Sequence, residues 1–248
     1  MSSSGKLNFA LVKWGTVLSV IGALMVILSG YAYQWGWWHF SFGFSLIPWG
    51  TGGAIVGGLI AAIGLFRMSE KTKNYVIAGT LGIVLALAAL GNIAYWYNEV
   101  QQGYPPIHDI STDLEDPPEF NAIAPLRADA PNPVEYAGEE TAEIQRSFYP
   151  DLESVTVGFE YDEAYNRALE AARDMPWEIV DENREQGRIE AFEKLAWFGF
   201  IDDVVIRVDT TSDGAGTKID IRSKSRIGRG DLGVNAKRIR AYLKELEN

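Results

Sequence analysis

The sequence predicts three transmembrane α-helices followed by an α+β two-layer sandwich with an antiparallel sheet. Three observations lead to this prediction. Residues 1–98 contain three long uncharged stretches, eight of the ten prolines fall in 104–150, and the remainder alternates between apolar and polar residues. We therefore expect a membrane domain over 1–98, an extended Pro-rich segment over 99–150 packed on the soluble domain, and a soluble domain over 151–248.

The uncharged stretches are Trp14–Tyr33, Leu46–Phe66 and Tyr75–Tyr97. A hydrocarbon core about 30 Å thick needs roughly 20 helical residues, so each stretch is long enough to cross it. The first exceeds the usual length of a signal-peptide core, and it is interpreted as an uncleaved anchor. Because none of the three contains an ionisable residue, the pattern argues against a transporter or pump.

The basic residues of the first 98 positions predict the orientation. Lys6 and Lys13 precede the first span, Arg67, Lys71 and Lys73 join the second and third, and residues 34–45 contain none. The positive-inside rule then places the N-terminus in the cytoplasm. The prediction is a multi-pass protein of the bacterial inner membrane whose C-terminal domain is periplasmic.

Aromatic residues crowd the first external loop and its borders, among them Trp35, Trp37, Trp38 and Trp49. Trp favours the headgroup zone, so these residues are predicted to form a membrane-interface belt. A docking ledge for the C-terminal domain, or a site for a lipid-soluble ligand, is the alternative. Small residues four apart, such as Gly53 and Gly57, predict close helix packing, and an oligomer could use the same surface.

The Pro-rich segment can form neither a helix nor a central strand, because each proline removes a backbone donor and fixes φ. We expect it to be extended and irregular. Its apolar residues suggest that it packs along the soluble domain.

From Val155 onward the periodicity predicts the order β-α-β-β-β-β-α. The residues 212–216, rich in Gly and Ser, are expected to turn the chain into the last strand, and Asp231 is expected to cap the last helix. Both helices should cover one face of the sheet. The predicted elements are a strand at 155–159, a helix at 162–175, strands at 177–183, 188–198, 204–208 and 218–225, and a helix after Asp231.

The charge balance excludes several classes of function. Residues 1–98 hold five of the 22 basic and one of the 33 acidic residues, so the remainder holds 17 basic and 32 acidic. Such an acidic domain is a poor ligand for nucleic acid. The chain has no cysteine, which excludes thiol chemistry. The Gly228–Gly233 run matches G-x-G-x-x-G, but no further strand follows the helix, so we predict no nucleotide and no cofactor.

Two clusters are candidates for chemistry. His108, Asp109 and Asp113 could ligate a metal or form an acid–base pair, although no second cluster supplies further ligands, and the favoured interpretation is turn formation and hydrogen bonding without a metal. Lys224, Arg226 and Arg229 precede a helix N-terminus and could bind an anion. The preferred alternative is that these cations pair with carboxylates of the Pro-rich segment, such as Asp109, Asp113 or Asp116.

Two runs, Pro106–Asp113 (PIHDISTD) and Ser223–Ile239 (SKSRIGRGDLGVNAKRI), resemble the uncharacterised domain-of-unknown-function family 1499 over roughly residues 104–246. The resemblance implies no known reaction, ligand or cofactor. It does single out a set of positions, which we treat as a candidate functional surface. These are Asp109, Thr112, Asp113, Ser223, Arg226, Gly228, Asp231, Asn235 and Arg238, with Gly233 and Ile239 as further typical positions. We add the neighbouring His108 to this surface as a candidate for chemistry.

The leading hypothesis is therefore a membrane-anchored periplasmic binding or assembly module without catalytic activity. Its partners would be the lipid bilayer and another membrane or periplasmic protein, or a second copy of the chain. One alternative is a periplasmic hydrolase or metal-dependent enzyme that uses His108, Asp109 and Asp113. The other is a lipid-binding protein that uses the Trp-rich loop.

Overall fold

The computed structural model of the protein describes residues 3–70, 72–211, 214 and 216–247. Lys71, one of the residues used to predict the orientation, and Ser212, Asp213 and Ala215 of the expected turn lie outside the described residues.

The chain divides into two compact units. The first comprises Met1–Gln102 with Trp197–Gly199, and the second comprises Gly103–Ala196 with Phe200–Asn248. We describe each unit by itself.

Three long apolar helices make up most of the described part of the first unit: α1 (Ser3–Gln34), α2 (Phe40–Arg67) and α3 (Lys73–Gln101). Each is long and apolar enough to cross a membrane. The prediction of three such helices is confirmed. Every helix extends beyond its uncharged stretch, because the backbone hydrogen bonds of a helix continue past the point where the apolar side chains stop.

Glycines at intervals of seven residues bring α1 and α2 together. Gly50, Gly57 and Gly64 of α2 are all buried. A Cβ at Gly57 would lie 2.5 Å from the carbonyl oxygen of Gly15, and one at Gly50 would lie 2.7 Å from that of Gly22. Real side chains do not tolerate such distances, so this interface requires glycine.

The four-residue spacing of Gly53 and Gly57, which predicted close packing, does not by itself explain the contact between α1 and α2. A Cβ at Gly53 would find its nearest neighbour at 3.6 Å, an ordinary contact distance. The third helix joins through glycine and through a hydroxyl group. A Cβ at Gly58 of α2 would lie 2.6 Å from the carbonyl oxygen of Gly82 in α3. Ser19 Oγ lies 2.7 Å from the carbonyl oxygen of Ala54 in α2 and 3.3 Å from that of Gly82 in α3.

The second unit is an antiparallel α+β domain, which confirms the predicted class. Within the described residues its sheet has the order β1-β6-β5-β4-β3, and the short strand β2 also pairs with β6. All pairs are antiparallel. The elements are β1 (Asp109–Ser111), α4 (Glu139–Phe148), β2 (Val155–Val157), α5 (Tyr161–Asp174), β3 (Glu178–Asn183), β4 (Arg188–Lys194), β5 (Ile201–Thr210), β6 (Thr217–Ser225) and α6 (Val234–Leu246).

The Pro-rich segment is more ordered than predicted. It contains the ten-residue helix α4, so the expectation of no helix there is wrong. The prolines are unevenly placed: none lies between Pro133 and Pro150, and this gap is long enough for a short helix. Its strand β1 lies at the end of the sheet, where nearby prolines are tolerated.

The sheet is covered on both faces. On one face, Ile219 and Ile221 of β6 join the main apolar core with residues of α5 and α6. On the other, residues 113–137, which we call the strap, pack through Phe120 and Ile123 against Val205 of β5. The two-layer description is therefore incomplete, because the strap adds a third, irregular layer.

Candidate functional site

The motif residue Asp109 is fully buried in β1 and is held by two cations. It pairs in register with Lys224 of β6. Its carboxylate accepts hydrogen bonds from Arg222 Nε at 2.8 Å, Arg222 Nη2 at 2.9 Å and Lys224 Nζ at 2.9 Å. Burial raises the pKa of Asp109, but Arg222 and Lys224 outweigh it and lower the pKa below the ordinary value. The carboxylate is thus ionised and fully engaged.

The same two cations also bind the strap. Arg222 donates to the carbonyl oxygens of Pro118 and Val134, both at 3.1 Å, and Lys224 donates to that of Glu135. Burial lowers the pKa of Lys224, and the neighbouring Asp109 only partly opposes this. Arg222 and Lys224 therefore connect β1, β6 and the strap in one buried cluster.

A second buried carboxylate, Asp203 of β5, has the same arrangement. Arg127 of the strap approaches it to 3.1 Å, and Arg226 approaches it to 2.7 Å. Arg226 also donates to the carbonyl oxygen of Leu126 at 3.0 Å. This cluster fixes the strap to β5, the neighbour of β6 in the sheet.

A third carboxylate, Glu190 of β4, accepts three strap N–H groups. Asn121, Ala122 and Ile123 donate to it at 2.9, 3.0 and 2.8 Å. Glu190 is fully buried. Asp109, Asp203 and Glu190 thus each bind the strap or the cations that hold it.

Asp113 is partnered on both oxygens. One oxygen contacts Lys218 Nζ at 2.5 Å and Arg207 Nη2 at 3.0 Å. The other accepts the backbone N–H groups of Glu115 and Asp116 at 3.1 and 2.9 Å. Burial raises the pKa of Asp113, but the hydrogen bonds from Lys218 and from the backbone dominate and lower it.

Thr112 continues the β1–β6 ladder with its side chain. Its N–H donates to the carbonyl oxygen of Ile221 at 3.0 Å, and its Oγ1 accepts the N–H of Ile221 at 2.9 Å. The hydroxyl takes the place of the backbone carbonyl that would normally accept this bond. Thr112 therefore holds the end of β1 on β6.

His108 does not join the two aspartates in a single cluster. Its Nδ1 lies 3.3 Å from the carbonyl oxygen of Arg229, while Asp109 and Asp113 bind separate sets of cations. Within the described residues there is no group of three His, Cys, Asp or Glu side chains that could hold a metal ion. The geometry at His108 offers no acid–base pair with Asp109.

The motif residues around α6 form a second network, on the helix-covered face of the sheet. Asn235 Oδ1 accepts from Ser223 Oγ and from Arg238 Nη1, both at 2.6 Å. Its Nδ2 donates to the carbonyl oxygen of His108 at 3.1 Å. Arg238 in turn contacts Asp202 at 2.8 Å. Asn235 therefore joins β1, β6 and α6.

Asp231 organises the start of α6. Its oxygens accept the N–H groups of Gly233 at 2.9 Å and Asn235 at 2.6 Å. The preceding turn places Leu232 at φ 54° and Gly233 at φ 75°. A side chain at Gly233 would collide with the ring of Tyr104. Burial raises the pKa of Asp231, despite the two N–H groups that it accepts.

The family model described as "Protein of unknown function (DUF1499)" matches residues 109–246. This is more than half of the chain, and it runs from the first residue of β1 to the last residue of α6. The chain belongs to the DUF1499 family. A search of curated proteins and a search of solved structures found no match.

Of the three cations that the sequence offered as an anion-binding site, two are paired with carboxylates in the DUF1499 domain. Lys224 binds Asp109 and Arg226 binds Asp203. Arg229 is exposed. Lys224 thus has the kind of partner that the preferred alternative predicted, a carboxylate of the Pro-rich segment, whereas Arg226 pairs with a carboxylate of β5.

An open groove of about 470 Å³ lies beside Asp113 in the DUF1499 domain. It lies between the residues that follow β1 and the residues that precede β2. Its lining mixes charges and hydroxyl groups, including Thr112, Asp113, Glu153, Ser154 and Lys218. The groove borders the end of the PIHDISTD run through Thr112 and Asp113.

The predicted interface tryptophans lie in the other unit. Trp35, Trp37 and Trp49 are strongly exposed, Trp49 at 77%. Trp38 donates its indole N–H to the carbonyl oxygen of Ser29 at 3.0 Å. The indoles of Trp35 and Trp37 contact each other at a tilt of 58°, with centroids 5.1 Å apart. Exposed indoles of this kind suit a headgroup region.

Sequence reasoning missed the residues that hold the strap. Arg222, Asp203, Glu190 and Arg127 carry no motif of their own. A signal did exist in β6, where charged residues recur at every second position from Lys218 onward. That period places all of them on one face, but nothing in the sequence states that this face is covered.

Proposed function

We propose that the chain is a multi-pass protein of the bacterial inner membrane, with its DUF1499 domain in the periplasm acting as a non-catalytic binding or assembly module. One observation carries the proposal. Asp109 binds Arg222 and Ser223 binds Asn235 inside the domain. Asp113, which borders the open groove, has both carboxylate oxygens engaged, one by cations and the other by backbone N–H groups. Such pairing fixes these side chains within the domain and supports a binding role over catalysis.

The placement in the membrane is supported by the charges. Basic residues flank the ends of α1 and α2 that the positive-inside rule assigns to the cytoplasm, and the exposed indoles of Trp35, Trp37 and Trp49 lie toward the opposite ends. Three crossings then place the second unit outside the cytoplasm. Its acidic surface favours a protein partner over an anionic lipid surface.

The absence of cysteine from the chain makes this topology directly testable. Ser147 of α4 and Ser69 of the α2–α3 connection are both exposed, and each can be replaced by the near-isosteric Cys. A membrane-impermeant maleimide applied to intact spheroplasts should label S147C. It should label S69C only after permeabilisation. The reverse pattern would overturn the periplasmic placement.

The binding role can be tested with two charge reversals of equal size. Glu153 lines the groove, whereas Glu143 is exposed on α4 outside it. Full-length protein, solubilised in detergent, is affinity-purified, and the co-purifying proteins are quantified by mass spectrometry. We expect an envelope protein to be lost with Glu153→Lys and retained with Glu143→Lys. Equal recovery with both variants would exclude the groove, and recovery of no specific protein from the wild type would refute a protein-binding module.

A further inference from the structure

The outer part of α3 is bare on every side. All nine residues from Leu90 to Asn98 are exposed, including Tyr95 and Tyr97. The contacts of α3 with the other helices lie earlier in the helix, at Gly79, Gly82 and Ala86. The last turns are therefore the least covered part of this apolar helix.

This exposed region of α3 contains the amide side chain of Asn92. Asn92 is exposed, and its side chain makes no hydrogen bond to any residue that the structure describes. It lies five residues before the end of the predicted span, which corresponds to about 7.5 Å of helix. An amide at this depth meets hydrocarbon, where water cannot satisfy its donors and acceptor. Two polar residues of the first span, Thr16 and Ser19, instead donate to carbonyl oxygens of neighbouring helices.

Asn92 belongs to a continuous face. At helical spacing Asn92 aligns with Val84, Ala88 and Tyr95, and Gly91 aligns with Ala88 and Tyr95; all of these residues are exposed. Gly91 stands nine residues after Gly82 and so points away from α1 and α2. A Cβ at Gly91 would meet nothing within 4 Å, so this glycine is not required by packing inside the unit.

We propose that this face of α3 binds the same face of a second copy of the chain, and that Asn92 pairs with Asn92 across the two-fold axis. Two copies inserted with the same topology place Asn92 at the same depth, so the amides meet whichever way the chain crosses the membrane. An amide is both donor and acceptor, so two of them satisfy each other reciprocally. Ala88 and Gly91 allow the backbones to approach.

A second copy fits this face better than lipid or another part of the chain. Lipid tails offer the amide no partner, and the described residues of this chain leave it uncovered. An identical helix supplies an amide of matching polarity at the matching depth. Asn at a helix interface is also a known means of fixing register and oligomeric state.

The test uses two adjacent alanines of the cysteine-free chain. Ala88 lies on the proposed face, and Ala89 is turned about 100° away from it. Full-length A88C and A89C are oxidised in native membranes with copper phenanthroline, which removes the two thiol hydrogens as a disulfide forms. We expect A88C to give a disulfide-linked dimer and A89C to give far less. Equal crosslinking of the two, or a monomer in both, would overturn the proposal.

Two further changes test the chemistry of the interface. Asn92→Leu removes the amide, and Gly91→Ile keeps it but separates the backbones. In the A88C background each should reduce dimer formation, Asn92→Leu by about threefold to twentyfold, as expected for one interhelical hydrogen bond. Protease resistance of the monomer shows that each variant is folded. Unchanged crosslinking in both folded variants, or crosslinking only to a different protein, would refute self-association through this face. Because the outcome is the same for either orientation, it is independent of the topology test.

Discussion

Replacing Asp109 by Asn should strongly destabilise the DUF1499 domain. The substitution keeps the size of the side chain, so it creates no cavity, but it removes the negative charge between two cations. The side chains of Arg222 and Lys224 are 2% and 1% exposed. Removing one member of a buried ion pair typically costs about 3–5 kcal/mol, because the remaining charge stays buried without compensation. We expect a loss in this range.

The control is an ion pair of the same chemistry at the surface. Asp151 binds Arg240 with two hydrogen bonds, of 2.6 and 2.7 Å, but the side chains are 54% and 42% exposed. Water replaces the lost partner at such a site, so Asp151→Asn should cost about 0–1 kcal/mol. Both substitutions replace a carboxylate by an amide, but Asp109 is buried between two cations and Asp151 is exposed beside one.

Hydrogen exchange followed by mass spectrometry measures both effects on the full chain in detergent. Peptides covering β6 report the free energy of opening at the site. The buried-charge explanation also predicts partial rescue: adding Lys224→Met to Asp109→Asn removes a stranded cation, so the double variant should be less destabilised than the sum of the single variants. Equal protection in Asp109→Asn and Asp151→Asn, or strict additivity in the double variant, would refute the reasoning.

Three further predictions concern the glycine packing of the membrane unit, the side chain of Thr112 and the pH dependence of Asp113. In the membrane unit, Gly57→Ala should lower the thermal midpoint in detergent, because the new methyl group would collide with α1, whereas Gly52→Ala should not, since a Cβ at Gly52 meets nothing within 4 Å. Thr112→Val leaves the buried N–H of Ile221 without its acceptor and should cost about 1–3 kcal/mol in β6 exchange, while Thr112→Ser should stay close to wild type. Folding lowers the pKa of Asp113, so its stabilising contribution is present above the unfolded pKa near 3.8 and is lost as the pH falls through the folded pKa. Exchange protection of the wild type should therefore decline below about pH 4, and that of Asp113→Asn should decline less steeply. A wild-type profile that stays flat below this pH would contradict the lowered pKa of Asp113.

The sequence contains enough information for the helices and the class of the soluble domain. An uncharged stretch such as Tyr75–Tyr97 predicts a span from length alone, and the alternation of Ile219 and Ile221 predicts a strand with one apolar face. Both signals are local and periodic. The helix α4 was missed because the density of prolines was averaged over the whole segment, although its own ten residues contain none.

The contacts of the motif residues depend on distant partners. Asp109 and Arg222 are 113 positions apart, and no local period connects them. The charges of β6 suggested a solvent-exposed face, since alternating polar residues usually mark one. The strap that covers them has no period, so its position cannot be derived from the pattern. Arg226 likewise binds Asp203 of β5, a residue that the sequence did not distinguish from other acidic positions.

The cations beneath the strap follow from the chemistry of proline. Each proline in the strap lacks an N–H group, so the segment presents more acceptors than donors. An apolar sheet face could not satisfy those carbonyl groups, and burying them unsatisfied would be costly. Arginine supplies five donors, and Arg222 divides its own between Asp109 and the carbonyl oxygens of Pro118 and Val134. The buried carboxylates then neutralise the cations that this arrangement requires. The charged motif and the Pro-rich strap are thus two halves of one structural solution, which explains why residues of the kind used in active sites lie closed inside this domain.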